Sequence, residues 1–143
     1  MKMERITQRK SNDCGVACVA MIIQRYAGCP AASAYDAAKA VMFGAGPAGY
    51  TGTDELRLGL DAFGVANGGQ RYSFKKYNSK DMGLDFDAII ATKPNNAGNW
   101  HWLVWDASER RLLDPNPKKS SDGHRSALQY FKIMESPKTQ ESP

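Results

Sequence analysis

The stretch Gln8-Arg9-Lys10-Ser11-Asn12-Asp13-Cys14-Gly15-Val16-Ala17-Cys18-Val19-Ala20-Met21 decides the reading of this chain. After Cys14, the apolar residues Val16, Val19, Ala20, Ile22, Ile23 and Tyr26 recur at the spacing of one helical face. Asn12 and Asp13 are good N-cap residues, and Gly28 supplies a stop. The spacing therefore predicts a helix that begins close to Cys14. The first N–H groups of a helix have no partner inside it, and the helix dipole is positive at that end. Both favour a thiolate over a thiol, and the thiolate is the form that attacks. Most free cysteines are simply small buried hydrophobes. A core cysteine, however, does not require a cap immediately before it and a glutamine six residues upstream.

Working outward, the partners of such a sulfur appear far downstream. Trp100-His101-Trp102-Leu103-Val104-Trp105 is followed by Leu112-Leu113-Asp114-Pro115. Along a strand, Trp100, Trp102 and Val104 take one face while His101, Leu103 and Trp105 take the other. Ala107-Ser108-Glu109-Arg110 can reverse the chain. A two-residue or four-residue turn keeps His101 and Asp114 on one sheet face, opposite or one diagonal step apart; a three-residue turn breaks this register. The acid can then hold one imidazole nitrogen while the other faces Cys14. Without a catalytic role, His101 is an interface histidine between tryptophans and Asp114 a turn-forming Asp-Pro. His124 is the rival base, but it lies in a polar loop with no strand to hold it.

Gln8-x4-Asp13-Cys14-Gly15-x-Ala17-Cys18-x-Ala20-Met21, joined to His101-Trp102 and Leu113-Asp114-Pro115, resembles the bacteriocin-processing peptidases that cleave double-glycine leaders. These have the papain-like cysteine protease fold. The resemblance runs from about Ile6 to Asn116. It implies a nucleophile at Cys14, a base at His101, an orienting acid at Asp114 and oxyanion stabilisation by Gln8. A fixed amide N–H at such a site is typically worth about 10²–10³ in rate. In many relatives the domain is fused to a transporter with membrane helices and an ATPase, and the 143 residues contain neither.

The remainder reads as helices followed by strands, an α+β chain with its cysteine on N-terminal helices and its histidine and acid on a C-terminal antiparallel sheet. Ser33–Phe43 is an alanine-rich helix, and 44–52 a connector that reads as a surface loop. Thr53 is expected to cap a third helix through Leu56, Leu60 and Phe63, ending at Gly64. Asn67-Gly68-Gly69 is a turn signal and a double glycine in mid-domain. Strands are expected at Arg71–Lys75, Ala88–Thr92, Trp100–Asp106, Arg111–Leu113 and Gln129–Ile133. Residues 1–134 read as one domain and 135–143 as a disordered polar tail.

Composition narrows the partners. Hydrophobic residues make up 42% of the chain, with no apolar run near the roughly 18 residues that span a bilayer. The N-terminus lacks the apolar stretch of a secretory signal, so the expected compartment is cytoplasmic. A net charge of +4 is dispersed, and the Lys75-Lys76 and Lys118-Lys119 pairs read as solvated surface, not as a nucleic-acid footprint. The three cysteines show no CxxC spacing, so neither a metal nor any other cofactor is expected. Cys18, one turn after Cys14, reads as helix packing ahead of a resolving thiol. The expected partner is a peptide or protein substrate, with no membrane segment in the chain. The leading expectation is peptide hydrolysis. The alternatives are a toxin or effector that deamidates or acyl-transfers through the same site, and a non-catalytic leader-binding module.

Overall fold

A computed structural model describes residues 2–74, 82–92, 100–118 and 127–134. Three helices, α1 (Cys14–Tyr26), α2 (Ala31–Phe43) and α3 (Thr53–Ala62), precede five strands. These are β1 (Asn67–Ser73), β2 (Ala88–Thr92), β3 (Trp102–Asp106), β4 (Arg111–Leu113) and β5 (Ala127–Ile133). The sheet order is β1-β5-β2-β3-β4, and every pairing is antiparallel. The papain-like α+β architecture expected from the sequence is the one observed.

α1 is the centre of the helical layer. Every residue except Arg25 is buried, which is how a helix apolar on all sides behaves. It packs against α2, α3 and β3. Small residues make this possible. At Gly59 of α3 an added Cβ would lie 3.0 Å from both Val19 and Met42, so glycine lets α3 close onto α1 and α2. Gly28 follows the C-cap Ala27 with φ of 71°, the left-handed stop expected there.

The sheet has two buried faces. Ile89, Ala91, Trp102, Val104, Leu113, Phe131 and Ile133 join the helices in the main core. Ala88, Ile90, Leu103, Trp105 and Leu112 form a second cluster on the far face with Met82. There Trp105 Nε1 donates to the Leu84 carbonyl at 2.9 Å. The central strands β2 and β3 are consequently buried at every residue and apolar almost throughout.

Three local expectations are corrected. α2 begins at Ala31, with Pro30 as its N-cap, two residues before the sequence reading placed it. Thr53 is inside α3; Gly52 is the N-cap, and its N–H donates to Glu55 Oε1 at 2.7 Å. A backward-reaching Glu satisfies the cap without a hydroxyl. Asn67-Gly68-Gly69 opens β1 instead of turning the chain. The Asn67 side chain accepts the Gly69 N–H at 3.0 Å, Gly69 takes φ of 74°, and the ladder to β5 shifts between Asn67 and Arg71. Sheet pairing absorbs the turn signal as a bulge. Lys75, His124, Lys119 and the expected tail lie outside the described residues.

Candidate active site

Cys14 is the first residue of α1 and is 7% exposed. Asp13 takes the N-cap position, yet its side chain makes no cap hydrogen bond. Its carboxylate instead accepts the Tyr35 hydroxyl from α2. The Tyr35 oxygen in turn accepts the Arg9 N–H at 3.0 Å, and the Arg9 guanidinium lies 4.2 Å from the Tyr35 ring centroid. Burial, then the bond to Asp13, push the Tyr35 phenol up from its ordinary range. The acid beside Cys14 is thus drawn away from the helix end, where it would otherwise occupy backbone N–H groups.

Gly15 explains the small residue after the sulfur. A Cβ there would meet Thr51 Oγ1 at 2.1 Å and Thr51 Cβ at 2.3 Å. Thr51 is buried at the end of the 44–52 connector, and its carbonyl accepts Trp102 Nε1 at 2.9 Å. The connector is therefore a spacer between the start of α1 and the start of β3, and only glycine at position 15 admits it. No pattern in the sequence singled out Thr51.

The β3–β4 hairpin delivers the histidine and the acid. Asp106 pairs with Arg111, leaving the four residues Ala107–Arg110 as the turn. Continuing this register sets Asp114 opposite Leu103, one diagonal step from His101, as a four-residue turn requires. The face assignment differs. Strict alternation would send His101 to the far face with Leu103 and Trp105. His101 and Asp114 instead lie just outside the strands, past the last ladder pair of β3 and β4. Released from the pleat, His101 hydrogen-bonds to Cys14 on α1.

His101 Nε2 lies 2.9 Å from Asp114 Oδ1, leaving Nδ1 as the ring nitrogen for the sulfur. Asp114 is fully buried, while the His101 side chain is 30% exposed. Asp114 Oδ1 also accepts the Asn116 N–H at 2.8 Å. The N-terminal arm fastens this loop from outside. Arg5 Nε donates to the Asp114 carbonyl and Arg5 Nη2 to the Asn116 carbonyl, both at 2.8 Å, and the Gln8 N–H donates to the Pro115 carbonyl at 2.7 Å. Burial of His101 works against its protonation. The hydrogen bond to Asp114, then the hydrogen bond and charge of Cys14, then the charge of Asp114, outweigh it and hold the imidazole pKa at about 9. At neutral pH this group is a cation set between sulfur and carboxylate.

Gln8 is tied down differently from the sequence expectation. Its Nε2 donates to the Lys10 carbonyl at 3.0 Å and the Ser11 carbonyl at 3.3 Å, and its Oε1 is buried without a partner. Cys18 is fully buried, and burial first, then the charges of Cys14 and Asp114, push its thiol well up. That fits a packing residue. Cys29 is partly exposed, with its sulfur 4.0 Å from Ser33 Oγ. Among the described residues no group of three His, Cys, Asp or Glu is arranged to hold a metal ion. None of the described helices is long and apolar enough to cross a membrane.

A model of the peptidase C39 family matches residues 2–120, spanning everything from the N-terminal arm to the Asp-Pro loop. The chain belongs to that family. The match agrees with the resemblance carried by Gln8–Met21, His101 and Asp114, and it makes the protein a cysteine peptidase acting on a peptide substrate. No curated protein sequence matches the chain.

Proposed function

We propose that this C39 peptidase cleaves through Cys14, with His101 as base and acid and Asp114 as the group that orients the ring. The supporting observation is the continuous line from Cys14 through His101 to the buried Asp114, with imidazole Nε2 held at 2.9 Å by the acid. In this reading the Cys14 thiolate attacks the acyl carbon and the carbonyl oxygen takes the negative charge. The imidazolium then gives its proton to the leaving amine, and the acyl-enzyme forms. His101 next takes a proton from water, which attacks the thioester carbon and expels the sulfur as thiolate, restoring the starting pair. Gln8 serves the oxyanion by exchanging one of its bonds to the Lys10 and Ser11 carbonyls for the developing charge. Its unpartnered Oε1 makes the amide a poorly settled group, which supports such a movement. Residues 1–134 act as one domain in this reading.

The family resemblance supports Gly-Gly before the scissile bond. Cleavage of a leader peptide ending in Gly-Gly, compared with a matched peptide carrying Ala-Leu, tests it. Selective cleavage of the first supports leader processing. Equal cleavage rejects it in favour of a broader or effector-type peptidase. Binding of the Gly-Gly peptide without cleavage, by protein whose Cys14 is reduced, favours a leader-binding module. Release of ammonia from a glutamine-bearing protein without peptide cleavage favours a deamidase.

A further inference from the structure

Among the described residues, Arg71 is a cation that meets no carboxylate. Arg9, Arg25, Arg57, Arg110 and Arg111 each face an aspartate. Arg71 faces none among the described residues, and its Nη1 is buried with no hydrogen-bond partner. Its guanidinium carbon lies 5.0 Å from the Trp100 ring centroid and 5.6 Å from that of Trp102. These are the two residues that flank His101.

The register explains how a residue of β1 arrives there. Arg71 pairs with Phe131, Phe131 with Ile89, and Ile89 with Val104; the next row is Ser73, Gln129, Ala91 and Trp102. Cross-strand partners share a face, so Arg71, Gln129 and Trp102 all stand on the helix-facing side. The row that ends in Trp102 is the last before His101. Arg71 therefore reaches along the sheet toward its catalytic end. Gln129 Oε1, on this same face, is also buried and unpartnered.

Stacking on tryptophan occupies the faces of a guanidinium, but its N–H groups lie in the plane and still require acceptors. A charged donor buried without one is more costly than a neutral one. The two rings that hold this donor flank His101 in the chain, and both Arg71 and Trp100 remain partly exposed, so the group is reachable from solvent. We propose that Arg71, stacked on Trp100 and Trp102, binds a carboxylate carried by the peptide substrate. Gln129 Oε1 is then placed for a peptide N–H of the same ligand. The carboxylate belongs either to an acidic side chain or to a free C-terminus. The peptide nature of the ligand rests on the reading proposed above.

Binding to Cys14→Ala protein tests the proposal without requiring turnover, so a failure of the catalytic assignment leaves the test intact. The probes are capped peptides ending in Gly-Gly amide in which one glutamate occupies each position in turn. The matching glutamine series is used twice, once amidated and once with a free C-terminus. All three tryptophans of the chain lie within Trp100–Trp105, so their fluorescence reports binding at this point. At one position glutamate is expected to bind about tenfold more tightly than glutamine, as a charge-assisted bond requires. If the C-terminus is the source, only the free-acid glutamine series gains. Arg71→Gln is expected to abolish the preference, and Arg71→Lys to retain part of it. Thermal melting checks that each variant is folded. If Arg71→Gln does not fold, Arg71→Lys carries the test through its reduced preference. Equal binding of all series, no binding by any, or a preference that survives in both variants overturns the proposal.

Discussion

The two ends of α1 each meet an acid on the β3–β4 hairpin, and the two meetings serve opposite ends. At the C-terminal end Arg25 lies 3.8 Å from Asp87 and 3.4 Å from Asp106. Tyr26 donates to Asp87 at 2.6 Å, Asp87 accepts the Ala107 N–H at 2.8 Å, and Arg111 reaches Asp106 at 3.3 Å. Burial, then the bond to Asp87, push the Tyr26 phenol up. None of these cations can give up a proton near neutrality, so the cluster fixes one end of the hairpin without a group that exchanges protons there. At the N-terminal end the cation is an imidazole, its counter-charge is shared between a carboxylate and a sulfur, and it is 30% exposed. The geometry is similar, but a group that can exchange its proton replaces one that cannot. An acid–base cluster becomes a candidate site through what titrates in it and what water or substrate can reach.

The most severe way to break this contrast is at the N-terminal cluster itself. Cys14→Ala or His101→Ala is expected to lower turnover by roughly 10⁴-fold or more, and the double variant should lose little further, because members of a catalytic unit are not additive. Thermal melting should show both folded. Iodoacetamide should label Cys14 ahead of Cys29 and well ahead of the buried Cys18. Equal labelling of all three thiols in folded, active protein would sink the assignment.

Next in size is the structural cluster. Asp106→Asn removes one partner from a buried ion pair and is expected to cost about 3–5 kcal/mol of stability by denaturant unfolding. Turnover per folded molecule should be unchanged. Asp114→Asn should do the reverse, slowing turnover by roughly 10–100-fold with a smaller loss of stability, since the amide still bonds the ring but no longer stabilises its cation. Similar kinetic losses in both variants would erase the distinction between the two ends.

A pH profile sharpens the comparison. In the proposed mechanism His101 is needed as a cation to donate to the leaving amine, and its pKa is raised to about 9. Activity should persist through neutrality and fall as pH rises through that value. The bond to Asp114 is the largest of the raising influences, so in Asp114→Asn the fall should move to lower pH. An alkaline limb in the same place for both proteins would detach Asp114 from His101.

The smallest effect is expected at Tyr35. Tyr35→Phe frees the Asp13 carboxylate to accept N–H groups at the start of α1, where it competes with the thiolate for the helix end. A drop of about threefold to tenfold in kcat with KM unchanged is expected, with Asp13→Asn partly reversing it. A change in KM alone would point to a structural role.

Much of this was legible in the chain. Helical spacing after Cys14, a run of small residues and Gly28 were enough for α1, because local propensity and burial agree there. The β3–β4 hairpin was legible as two strands and a reversal, but the four-residue turn that sets the register of His101 and Asp114 was one of several lengths the sequence allowed. Elsewhere local signals were outvoted. Asn67-Gly68-Gly69 became a bulge once β5 supplied a partner, and Glu55 made Gly52 the cap in place of Thr53. The bonds of Gln8 were not legible, since its side-chain donor answers to the Lys10 and Ser11 carbonyls of the following turn.

What the sequence determined by itself was the inventory and order of the chemistry: a cysteine at a helix start, then a histidine and an acid flanking the two strands of one hairpin. Those follow from periodicity and turn-forming residues, which act over a short stretch of chain. Only the tertiary structure decided that His101 leaves the pleat for the helical side, that Thr51 fits against Gly15, and that Arg71 spans the sheet to Trp100. Each depends on contacts between residues far apart in the chain. Such contacts are fixed by how the layers close and leave no periodic trace in the residues that make them.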